Sequence, residues 1–189
     1  MVKDSQFNQV IQTAIEIAIK AAIEINDEEW RSEALAEVII AMAEAGQFNQ
    51  AMQMAKTIEK EEQRSWALKE ISIAMAKASQ FDQAMQAAKM IEDGFWRSSA
   101  LAGIAEAMAK EKLTKEATRV FEQAMQVART IEEQEELSLT IEEITIAMAK
   151  ARQFEQAMQA ANAIEDAFWR SRALAGIAEA MAKEKLTKE

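Results

Sequence analysis

The sequence predicts an all-α chain, an α-solenoid of about five helix-turn-helix units, and three observations carry that expectation. The first is vocabulary: half of the 189 residues are apolar, proline, cysteine, histidine and tyrosine are absent, and the strong helix formers Ala, Met, Glu, Gln and Lys abound. The second is copying: residues 74–116 align without a gap with 147–189, 73 positions on, and differ at only six of 43 places, 79, 82, 89, 90, 94 and 99. The third is a finer period. Phe48 and Phe81 stand 33 apart, as do Phe121 and Phe154, whereas Phe81 and Phe121 are 40 apart because seven residues are added around "KEKLTKE" at 110–116.

That register divides residues 1–189 into one repeat domain with units at about 1–45, 46–78, 79–112, 113–151 and 152–189. Residues 11–25 align with 117–131, and Asp4 or Ser5 is expected to cap the opening helix. Each unit then pairs a long helix of about 18 residues with a shorter one. Asp27, Asp93 and Asp166 stand where long helices need an N-cap, and Gly46 in "AGQF" where one should stop. Ser79 with Asp82 reads as a capping box for a short helix, and Thr114 as the cap of the short helix that the insertion lengthens. Met42, Met75, Met108, Met148 and Met181 recur at one register of the long helices, as a buried stripe would. Trp30, Trp96 and Trp169 share another register, at the start of alternate long helices.

In one hairpin Leu68, Ile71, Ser72 and Met75 are followed by Phe81 and Ala84; in the next, Leu101, Ile104, Ala105 and Met108 are followed by Phe121 and Ala124. With the turn "GQFNQA" at 46–51, these residues resemble the tetratricopeptide repeat, a helical hairpin of about 34 residues. The large-then-small pair of that family's short helix is inverted here, as in Ala55 and Ile58, and its terminal proline is missing, so the chain is tetratricopeptide-like. The near-identity of the copies points to an engineered or idealised array, with a recent duplication as the alternative. The resemblance implies a right-handed superhelical stack whose inner face is lined by the long helices. Its groove positions fall on Ile40, Trp66, Lys69 and Ile73, then on Glu106, Leu139, Glu142 and Ile146. The apolar members of that set call either for a bound peptide or helix, or for neighbouring helices close enough to cover them.

Chemistry is scarce. Without histidine or cysteine the commonest general base and the thiolate and imidazole metal ligands are gone, and with four glycines and no phosphate-loop motif nothing cradles a nucleotide. Glu132, Glu133, Glu135 and Glu136 read as a solvated group rather than an acid-base pair. No cofactor and no catalytic residue is expected. A net charge of −10 opposes nucleic acid and anionic membranes, and the polar start "MVKDSQFNQ" lacks the form of a signal peptide, so a soluble, cytoplasmic chain is expected.

What the pattern does predict is contact between copies of the chain. The segment "FWRSSALAGIAEAMAKEKLTKE" at 95–116 returns at 168–189 with one change, Ser99 to Arg172, yet natural arrays close with a more polar unit. At the other end Ile17 and Ile23 occupy registers that sibling units give to glutamine, lysine, arginine or asparagine. Self-association through Ile17 and Ile23 at one end and Phe168, Trp169, Leu174, Ile177 and Met181 at the other is therefore expected. A two-fold dimer and a head-to-tail ring or filament both remain open, because 185–189 and 6–10 compete for the alignment to 112–116.

Overall fold

The computed structural model describes the backbone of residues 2–186 and the side chains of residues 6–185. Within them the chain is all-α, with ten helices: α1 (Val2–Ile23), α2 (Glu28–Glu44), α3 (Phe48–Ala55), α4 (Glu61–Lys77), α5 (Phe81–Lys89), α6 (Gly94–Lys110), α7 (Thr114–Ala128), α8 (Gln134–Lys150), α9 (Phe154–Asn162) and α10 (Ala167–Leu186). Each helix packs on its neighbours in sequence, and each even-numbered long helix also packs on the next even-numbered one. None of them is long and apolar enough to cross a membrane.

Local chemistry explains the boundaries. Asp27 accepts hydrogen bonds from the N–H groups of Glu29 and Trp30, Asp93 from Trp96, and Asp166 from Phe168 and Trp169, so all three expected aspartates cap long helices. Glu133 caps α8 in the same way, taking the N–H groups of Glu135 and Glu136. At the far ends, α2, α4, α6 and α8 stop at residues in the left-handed region: Gly46 (φ 78°), Ser79 (60°), Lys112 (65°) and Arg152 (64°). The next N–H then reaches back to a carbonyl of the methionine stripe, Met42, Met75, Met108 or Met148, at 2.9–3.0 Å.

Three expected caps are corrected. Ser79 is the left-handed residue that ends α4, and α5 begins behind Gln80 with no side-chain cap, so no box with Asp82 forms. Thr114 is the first residue of α7, behind Leu113. Asp4 and Ser5 lie inside α1, which already runs from Val2.

The core is continuous along the chain. Ile39, Ile71, Ile104 and Ile144 are fully buried, one in each of the four inner long helices, and Ile58, Ile91 and Ile164 plug the linkers that follow short helices. Each contributes about 1.5–3 kcal/mol by leaving water. Met42, Met75, Met108 and Met148 are buried as the stripe requires, but Met181 departs from it and is exposed, because no helix follows α10 among the described residues. Alanines fill the inner face of the short helices, which lets them approach closely.

Two glycines set the spacing of long helices. A Cβ on Gly103 would stand 2.6 Å from Cγ1 of Ile73, and one on Gly176 would stand 2.8 Å from Cγ1 of Ile146. The isoleucines of α4 and α8 thus seat in gaps on α6 and α10. Glycine within a helix costs about 1 kcal/mol relative to alanine, which the closer packing offsets.

Candidate functional site

Four of the eight residues of the expected groove are engaged by neighbouring helices. Ile73 and Ile146 fill the gaps at Gly103 and Gly176, which answers the question the sequence left open for them. Lys69 Nζ lies 2.8 Å from Glu70 and 5.1 Å above the Trp96 ring, so one cation ties α4 to α6. Glu142 is only 2 % exposed and accepts a 3.0 Å hydrogen bond from Nε of Arg172, whose guanidinium lies 5.2 Å from the Trp169 ring. Lys69 thus reaches a tryptophan of the next long helix, whereas Arg172 stacks on Trp169 of its own helix and reaches back to Glu142 of α8. Ile40, Trp66, Glu106 and Leu139 are half-buried, and Glu106 pairs with Lys110 at 2.7 Å.

Two carboxyl groups feel this packing. Burial pushes Glu143 above the usual carboxylate range, and the Glu142 charge beside it adds to the shift, while Lys69 and a hydrogen bond from Ser99 oppose it. Burial also raises Glu136, reinforced by the charges of Asp93 and Glu133.

Glu136 belongs to a feature that the sequence reading did not assemble. The first turns of α4, α6, α8 and α10 converge on an open cleft of about 770 Å³. Phe95, Trp96, Leu139 and Trp169 form its apolar walls, and Glu61, Glu62, Asp93, Glu133, Glu135 and Glu136 its rim, with no Lys or Arg in the lining. The shared register of Trp96 and Trp169 is the signal that the sequence carries; that they face one cleft depends on how α6, α8 and α10 pack.

The association residues divide. Ile17, Ile23, Phe168 and Met181 are exposed, and Trp169 and Leu174 are half-buried. Ile177 is corrected: it is 2 % exposed and belongs to the core, because the chain itself covers that side of α10. Trp30, of the shared tryptophan register, is exposed at the start of α2, and Phe7 and Val10, outside the expected set, are exposed on α1.

Comparison of the chain with protein-family models, with curated proteins and with solved structures finds no match.

Proposed function

We propose that the chain is a non-catalytic, tetratricopeptide-like scaffold, a right-handed solenoid of five engineered or idealised units, that self-assembles through its end units. The observation that carries this reading is where apolar surface is left open. Among the described residues, Phe7, Val10, Ile17, Ile23 and Trp30 are exposed on α1 and the start of α2, and Phe168 and Met181 on α10, whereas Met90, Leu113 and Met158 stand singly between them. Large apolar side chains left open on the first and last long elements suit association, and each that finds cover gains about 1.5–3 kcal/mol. Sedimentation velocity from about 1 to 100 µM should show a species heavier than one chain. A single monomer boundary across that range removes the proposal.

A second reading, an adaptor for a peptide or helix, is favoured by the cleft at Trp96 and Trp169. Apolar walls with a wholly acidic rim fit a basic segment, since the carboxylates attract its charged ends and the walls cover its aliphatic stems. Titration with an Arg- and Lys-rich peptide should quench tryptophan emission, and Trp96→Ala with Trp169→Ala should abolish the change. A signal that survives both substitutions places the contact elsewhere.

A further inference from the structure

The chain contains two near-identical helices in different surroundings, and the difference identifies a partner. Residues 95–110 of α6 recur as 168–183 of α10 apart from Ser99 and Arg172. α6 is covered by α7 and α8; α10 has neither type of neighbour. Met108 is 8 % exposed but its copy Met181 is 49 % exposed, Ala105 is buried but Ala178 is exposed, and Leu101 is buried but Leu174 only half-buried. The surface opened on α10 is the one that α6 gives to α7 and α8.

The reciprocal surfaces are open on α1 and α2. Residues 11–25 align with 117–131, so Ile11, Ala14 and Ala18 stand where α7 has Ala117, Val120 and Ala124. Those three α7 residues are buried, whereas Ala14 is exposed and Ile11 and Ala18 are only half-buried. On α2, Trp30 and Ala41 are exposed, while Trp96 and Ala107 at the same registers of α6 are half-buried and buried against the preceding long helix.

We infer that a second copy of this chain docks head to tail, with its α1 and α2 seated on α10 as α7 and α8 are seated on α6. This rests on the self-assembly reading above and specifies its partner and geometry. Inside the chain α6 already packs on α7 and α8, so the helix arrangement has a precedent, although α1 carries other apolar side chains than α7 at the contact registers. The competition between 185–189 and 6–10 falls away for the described residues, because 183–186 continue α10 and α1 is helical from Val2, so neither forms the turn made at Lys112. The contact is heterologous and repeats from copy to copy.

The same template separates contact residues from bystanders. Ile17 aligns with Gln50, Gln83, Gln123 and Gln156, all exposed although their units are stacked. It lies beside the junction, whereas a two-fold pairing of α1 with α1 would run through Phe7, Val10, Ala14, Ile17 and Ala21, spaced as a coiled-coil seam.

Two single variants test the geometry. Ala14→Arg blocks the α1 face and Ala178→Arg blocks the α10 face; both sites are exposed and helical, so the fold should hold, which circular dichroism checks. Head-to-tail docking predicts that each variant alone sediments as a monomer and that an equimolar mixture forms a 1:1 pair of twice the monomer mass, joined through the two unblocked faces. Oligomers of Ala178→Arg alone would establish α1-to-α1 pairing, and oligomers of Ala14→Arg alone α10-to-α10 pairing; either overturns the inference and leaves self-assembly standing. A monomeric parent chain overturns both. If either arginine variant unfolds, Trp30→Asp and Met181→Lys replace them, with the same outcomes required.

Discussion

At the scale of single residues, the four left-handed positions form a natural comparison. Gly46 adopts φ 78° without a side-chain penalty, but Ser79, Lys112 and Arg152 hold the same turn with a Cβ. Ser79→Gly and Arg152→Gly should each raise stability by about 1 kcal/mol, and Gly46→Ala should lower it by a similar amount, as read by urea unfolding. Gly103 has the opposite logic. Gly103→Ala improves helix propensity, yet its methyl meets Ile73, so a net loss of about 1–2 kcal/mol is expected, removed when Ile73→Ala is made in the same chain. Glu143 carries a pH signature. Its folded pKa lies above the unfolded value, so its contribution favours folding at low pH and is lost as pH rises through the folded pKa. Glu143→Gln should therefore stabilise the chain at pH 7, with the advantage closing below the ordinary carboxylate range near 4.5.

Among elements, the paired helices α4 and α8 show how a polar atom changes the cost of burial. Ser72 in α4 is buried and donates to the carbonyl of Leu68 at 2.7 Å, whereas Thr145, at the same register of α8, is buried with its hydroxyl unpartnered. Thr145→Val keeps the shape and removes the unpaired group, so α8 should gain about 1 kcal/mol. Ser72→Ala gives up a made hydrogen bond and should not gain. A thermal melt of each variant separates the two. Element identity is also less local than it looks: "KEKL" at 110–113 breaks the helix after α6, and the same four residues at 183–186 extend α10. What α7 supplies to the first copy is a helix for Leu113 to lead into, and an ion pair of Arg152 with Glu184 holds the second.

For the whole molecule, charge and apolar surface oppose each other. Copies carrying −10 repel, while in the proposed assembly the open faces on α1, α2 and α10 attract. Raising salt from about 20 to 200 mM shortens the screening length and should strengthen association several-fold, measured as the shift in midpoint concentration by sedimentation. Contact driven by ion pairs would weaken instead, so the sign of the salt effect separates the two causes.

The sequence by itself determined what depends on a residue and its near neighbours: helical content, the alternating period of 33 and 40, the aspartate caps at 27, 93 and 166, and the methionine register. It misplaced the cap at Ser79 because that residue ends α4 in the left-handed region, and the cap at Thr114 because the chain turns one step earlier, at Lys112, so that α7 starts behind Leu113. Only the tertiary structure decided that Ile73 and Ile146 fill glycine gaps, that Lys69 and Glu142 are tied to other helices, and that Ile177 is covered while Met181 is not. Burial belongs to a residue and its neighbours together. One helix written twice must therefore read the same in the sequence and still meet solvent differently, according to which helices lie against it.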